Sequence, residues 1–135
     1  MCGIFGIVLA NNETSPSEDK LKQSLKLISH RGPDGSGVYS EPGVGLVHTR
    51  LSLVDLQHRS DQPMWDSEHK HCLIYNGEIY NYQSLRDDLL NRGIKFKTTS
   101  DTEVLLQLLI HDGIDKTLSR LQGMFAFAFY NVNSK

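Results

Sequence analysis

The chain has 135 residues, 39% of them hydrophobic, and its 14 Lys plus Arg against 16 Asp plus Glu leave a formal net charge of -2. That is the balance of one soluble globular domain able to bury a core, and it carries no basic footprint for nucleic acid. Two cysteines, Cys2 and Cys72, are too few for a disulfide framework and form no Cys-x-x-Cys pair, which points to a reducing, cytoplasmic compartment and away from a zinc site.

The opening run, residues 2–10, is apolar but far shorter than a membrane span and has no basic region before it, so no membrane partner is expected. Residues 3–9 predict a strand covered on both faces. Ser15-Pro16-Ser17-Glu18 offers a serine N-cap, a proline at the first helical position and a glutamate at the third. Leu21, Leu25 and Ile28 then give one apolar stripe, until His30-Arg31-Gly32-Pro33 stops the helix.

Residues 37–40 and 43–48 flank a Glu41-Pro42 turn and read as a hairpin. Residues 51–55 alternate like a short strand, and 57–68 read as polar loop. Residues 71–75 and 78–82 look like strand or turn segments on either side of Asn76-Gly77, a strong turn signal. Residues 83–92 form an amphipathic helix ending at Gly93, and 94–98 are extended. Ser100-Asp101-Thr102-Glu103 repeats the capping-box pattern ahead of a core helix over 104–110. Residues 123–130 alternate large and small apolar side chains like a buried strand. About six or seven strands and three or four helices make a mixed α and β domain. An apolar strand needs a partner on at least one edge, so the nearness of Lys135 raises the expectation of an incomplete fragment.

Several residues carry chemistry. Cys2 becomes N-terminal if Met1 is removed, which places an α-amine of pKa about 7.7 to 8.0 beside a thiol of about 8.5, nucleophile and base in one residue. Taken alone, it also reads as a small apolar residue opening a strand. Asn76-Gly77 offers an amide donor beside an unhindered backbone N–H, as an oxyanion hole requires, although the dipeptide is more commonly only a turn. Arg50 suits a carboxylate in bidentate geometry, and Glu78 with Asp101 suits an ammonium group. An acid in the first turn of a helix, as at Asp101, is also stabilised by the helix dipole. The glycine-rich stretch from Arg31 to Gly37 lacks the lysine and spacing of a phosphate loop and reads as a shaped loop at a site edge. His69 and His71 have no partners that complete a metal set.

Taken together, these segments resemble the glutaminase domain of the class II, N-terminal nucleophile, glutamine amidotransferases, and more narrowly the glutamine-hydrolysing asparagine synthetases. The matching pieces are Met-Cys-Gly-Ile-Phe-Gly at the start, Arg31-Gly-Pro-Asp, His48-Thr-Arg-Leu-Ser-Leu-Val-Asp55, Tyr75-Asn-Gly-Glu-Ile-Tyr-Asn81, Ser100-Asp-Thr-Glu103 and Gly123-Met-Phe-Ala-Phe-Ala128. They occur in the family's order across almost the whole chain. Asn131 stands where an aspartate is usual.

The resemblance implies an α+β fold of the N-terminal nucleophile hydrolase type, two packed, mainly antiparallel sheets between helical layers (αββα), here C-terminally truncated, with residues 1–135 as the glutaminase domain. It implies Cys2 as the nucleophile, Asn76 and Gly77 as the oxyanion hole, Arg50 on the substrate carboxylate, and Glu78 and Asp101 on its ammonium group. Backbone around Leu51 and Val54, with the loop from Arg31 to Gly37, would shape the pocket. The implied partners are glutamine and a downstream synthetase domain of the same polypeptide that amidates aspartate, with a homodimer left open. ATP and magnesium are implied only for that domain, whose Ser-Gly-Gly-x-Asp-Ser signature is absent from this chain. Two alternatives stay open: the glutaminase domain of another class II amidotransferase, such as a glucosamine-phosphate synthase or a phosphoribosyl amidotransferase, and a glutamine-binding module without turnover.

Overall fold

The strand Val44–Arg50 is buried along its whole length, because it is the centre of one sheet and is covered on both faces. A computed structural model describes residues 2–51 and 60–134. In chain order the elements are β1 (Gly3–Val8), α1 (Glu18–Ile28), a 3-10 turn (Ser29–Arg31), β2 (Gly35–Glu41), β3 (Val44–Arg50), β4 (Met64–Trp65), β5 (His71–Ile79), α2 (Tyr82–Asn91), α3 (Asp101–Asp112), α4 (Ile114–Arg120) and β6 (Gly123–Asn131). They form two three-stranded antiparallel sheets, β1-β3-β2 and β4-β5-β6.

Alternation along the two central strands fixes the layers. On one face of β3, Gly45 lies against Leu21 of α1, and the Thr49 hydroxyl donates to the Ile28 carbonyl at 3.1 Å. On the other face, Val44 and Leu46 pack with Cys72 and Ile74 of β5. The opposite face of β5, with Leu73, Tyr75 and Ile79, packs on Leu85 and Leu89 of α2 and on Val104, Leu105 and Leu108 of α3. Helix, sheet, sheet and helices are therefore stacked in the expected αββα order. Each leucine buried between these layers contributes about 1.5–3 kcal/mol.

The β2–β3 hairpin forms as the sequence predicts, but it closes through Pro42-Gly43, with Gly43 at φ 95°, one residue later than the expected Glu41-Pro42 turn, because Glu41 still pairs with Val44. Helix α2 ends before Gly93 at φ 84°, as predicted. Other expectations are corrected. Helix α1 starts two residues later than the Ser15-Pro16 signal: Ser17 is its N-cap without a side-chain bond, since Pro16 is buried against Gly45 instead. β1 meets α1 on one face and the second sheet on the other, but it is only partly buried. Among the described residues it is an edge strand, and Val8 is 84% exposed. β6 is likewise half-buried rather than buried, pairing along β5 on one edge only among the described residues. The stretch read as polar loop contains β4, which Met64 and Trp65 form by pairing with Leu73 and Cys72. Asn76-Gly77 is not a turn. β5 runs straight through it, with Asn76 opposite Ala126 and Gly77 opposite Phe125. The glycine serves close approach there, since an added Cβ would come within 2.3 Å of the Met124 carbonyl oxygen.

Candidate active site

Cys2 lies just before β1, at the end of the sheet where β3 runs out into Leu51. The Leu51 backbone N–H donates to the Cys2 sulfur at 3.4 Å, and the thiol lies 3.7 Å from the Leu51 carbonyl. Arg31, at the end of the 3-10 turn after α1, donates from Nε to the Cys2 carbonyl at 3.0 Å. The half-buried Cys2 is therefore held at its sulfur by the Leu51 backbone and at its own carbonyl by the Arg31 guanidinium. Val54, the other residue expected beside Leu51, lies outside the described residues, as does Met1.

Arg50 ends β3 and is buried, and its guanidinium pairs with Asp61. By strand alternation it shares the face that Val44 and Leu46 turn to the second sheet. His48 sits between them on the same face, fully buried, with neither ring nitrogen meeting a hydrogen-bond partner among the described residues. Burial pushes the His48 pKa down to about 4, and the Arg50 charge adds to this, against the opposing effects of the Tyr75 backbone and Asp61.

The facing strand β5 carries the sequence Tyr75-Asn76-Gly77-Glu78. Asn76 shares its face with Cys72 and Ile74, and its Oδ1 is buried without a hydrogen-bond partner. Asp101 opens α3 and is buried; its Oδ2 accepts from the Tyr75 hydroxyl at 2.7 Å and from the Ile79 N–H at 3.3 Å. Burial raises the Tyr75 phenol well above its ordinary range, and the charges of Asp101, Glu78 and Cys2 raise it further. Of these three groups only Asp101 touches the phenol; Cys2 and Glu78 act on it through charge alone. Glu78 is exposed and acts there through its charge rather than through a hydrogen bond.

The first turn of α3 is fixed by its own sequence. The Ser100 hydroxyl accepts from the Glu103 N–H, as the capping box predicts. The Glu103 carboxylate does not return to Ser100; it accepts from the Thr98 N–H and hydroxyl at 2.6 Å each, and from Lys97 N–H at 2.9 Å. Sequence reasoning missed three residues at the site: Asp61 on Arg50, Gln62 on the Tyr75 backbone, and Tyr75 on Asp101. The available signal was Tyr75 itself, a phenol in an apolar strand that needs a buried partner. Among the described residues no group of three His, Cys, Asp or Glu is placed to hold a metal ion, and no helix is long and apolar enough to cross a membrane.

Comparison with known proteins gives this geometry its family. The chain is 40% identical over 135 residues to glutamine-hydrolyzing asparagine synthetase 1 of Bacillus subtilis, covering 98% of this chain and 21% of that protein. It is 42% identical over 131 residues to glutamine-hydrolyzing asparagine synthetase B of Escherichia coli, covering 97% of this chain and 23% of that protein. The chain thus spans about a fifth of the length of these relatives. A solved structure described as the allosteric regulatory enzyme of purine biosynthesis superposes on 96% of this chain and 35% of its own, with a TM-score of 0.76 at 24% identity, a likeness of fold. The family match covers residues 1–135, and the chain belongs to the glutamine amidotransferase domain family.

Proposed function

We propose that the chain hydrolyses the side-chain amide of glutamine to glutamate and ammonia through a thioester on Cys2. The observation that carries this reading is the Cys2 sulfur seated on the N–H of Leu51, the residue that follows the buried Arg50 at the end of β3. In this reading Met1 is removed, and the free α-amine of Cys2 takes the thiol proton as sulfur attacks the amide carbon. Asn76 and the Gly77 N–H receive the oxyanion. The protonated amine then gives its proton to the departing nitrogen, which leaves as ammonia. Water adds to the remaining thioester, and the sulfur leaves with its proton restored.

Arg50 would hold the substrate carboxylate, sharing or displacing Asp61, and Asp101 with Glu78 would take the ammonium group. Backbone around Leu51 and Val54 would complete the pocket. The named relatives support a role in nitrogen supply to an asparagine synthetase-type domain. ATP and magnesium belong to that domain's chemistry, and none of the steps above uses them.

The test is a glutaminase assay on the chain beside Cys2→Ala, with intact-mass measurement of the N-terminus. Ammonia release that is lost in Cys2→Ala, from protein whose mass begins at Cys2, is expected. Glutamine bound without turnover would favour the binding-module reading, and turnover with Met1 retained would sink the N-terminal mechanism.

A further inference from the structure

Tyr75 lies in a closed circuit between β5 and the start of α3. Its backbone N–H donates to Gln62 Oε1 at 2.6 Å, and Gln62 Nε2 lies 3.4 Å from the Thr102 hydroxyl. Thr102 follows Asp101, whose Oδ2 accepts from the Tyr75 hydroxyl at 2.7 Å. All four residues are buried, with Tyr75 at 3% exposure and Asp101 at 7%. The phenol is therefore anchored at its backbone by the segment that also supplies Asp61 to Arg50, and at its oxygen by the carboxylate.

A free carboxylate on the first turn of a helix can rotate and exchange its two oxygens. Here both recorded hydrogen bonds fall on Oδ2, from Tyr75 and from the Ile79 N–H, and no donor among the described residues bonds Oδ1. The plane of the carboxylate is set by two donors on one oxygen, which leaves the other oxygen as the acceptor for an incoming cation.

We propose that Tyr75 is a positioning residue for amino-acid recognition: its hydroxyl fixes the Asp101 carboxylate so that Oδ1 meets the α-ammonium group of glutamine. This rests on the reading of Asp101 as the ammonium site. The hydroxyl touches neither the scissile amide nor the thioester, so it acts on binding of the substrate's α-carbon end and not on the chemical step. It also makes the site selective for substrates that carry an α-ammonium group, because only those use the oriented oxygen.

The experiment measures glutamine affinity by calorimetry in the Cys2→Ala chain, so that it does not depend on turnover. Tyr75→Phe keeps the ring in the core and removes only the hydroxyl. Glutamine Kd should rise roughly 10-fold, the scale of a hydrogen bond to a charged group, while the Kd of the deamino analogue, glutaramate, stays the same. Placing Tyr75→Phe on Asp101→Asn should then add no further loss. An unchanged glutamine Kd, or an equal rise for glutamine and glutaramate, would overturn the proposal, the latter marking a general structural effect. If the chain with Cys2 intact shows no ammonia release but the selective affinity loss persists, the hydrolysis reading fails and the positioning role stands.

Discussion

The Arg31 Nε–H donates to the Cys2 carbonyl oxygen at 3.0 Å, so the loop after α1 holds the residue that carries the thiol. That loop is itself pressed onto β3. The Asp34 N–H donates to the Arg50 carbonyl at 3.0 Å, and an added Cβ at Gly32 would come within 2.4 Å of the Thr49 backbone carbon. Gly32 is needed because nothing larger fits between the loop and the strand. Arg31-Gly32-Pro33-Asp34 is thus a clamp that brings α1, β3 and the N-terminal segment to one point.

Arg31→Ala should therefore slow thioester formation while leaving the fold intact. A nucleophile released from one of its backbone anchors is misplaced by a fraction of an ångström to an ångström, and such misplacement costs roughly 10- to 100-fold in rate. The expected result is a fall of that size in kcat with an unchanged unfolding midpoint. A wild-type rate would show that the Leu51 contacts alone suffice to place Cys2.

Asn76→Ala should lower kcat by roughly 10²- to 10³-fold with a smaller effect on KM, since the amide donor faces charge that appears only in the tetrahedral intermediate. Asn76 sits inside β5, not in a flexible turn, and its buried Oδ1 has no partner, so removing the side chain strands no bonded group. Unfolding should be little changed. A variant with full kcat would remove the side chain from the oxyanion hole.

How much of this could be read from the sequence depends on how local each signal is. Ser100 caps α3 as its spacing says, and the β2–β3 hairpin turns within one residue of the expected Glu41-Pro42, because both are decided within four residues. Asn76-Gly77 misleads for the opposite reason. Its turn propensity is local, but the pairing of nine β5 residues with β6 is not, and the ladder wins. β1 and β6 are less buried than their composition suggests, because an apolar run does not reveal whether its strand lies at a sheet edge. At the site, the types of Cys2, Arg50, Asn76 and Asp101 were legible. Their supports, Asp61, Gln62 and Tyr75, were not, since nothing in the spacing shows that Asp61 meets Arg50, or that Gln62 and Asp101 both meet Tyr75.

Stability should fall on acidification through His48. The ring is fully buried with its pKa pushed down to about 4 from 6.5, so between those values the unfolded chain binds a proton that the folded chain refuses. Stability is then complete above about pH 6.5 and declines as pH falls toward 4, by at most about 1.4 kcal/mol per pH unit for one such group. The facing charges are Arg50, which deepens the shift, and Asp61, which opposes it. Denaturant unfolding at a series of pH values should show a shallower slope over that window in His48→Leu. Parallel slopes for the two proteins would mean that His48 titrates normally in the fold.

A glutamine-mimicking electrophile, such as a diazo-ketone analogue, should label Cys2 and spare Cys72. Cys72 is fully enclosed between the sheets with Ile74, Val44 and Leu46, and burial pushes its thiol up to about 12, leaving almost no thiolate at neutral pH. Cys2 is half-buried, and in the proposed site Arg50 and Asp101 would hold the reagent's amino-acid portion. Peptide mapping should find one adduct, lost in Cys2→Ala and kept in Cys72→Ala. Excess glutamine should slow labelling, and Tyr75→Phe should weaken that protection, because both molecules use the same ammonium site. An adduct on Cys72 in folded protein would contradict the enclosure of that thiol, and labelling of Cys2 that glutamine does not slow would separate the thiol from the amino-acid site altogether.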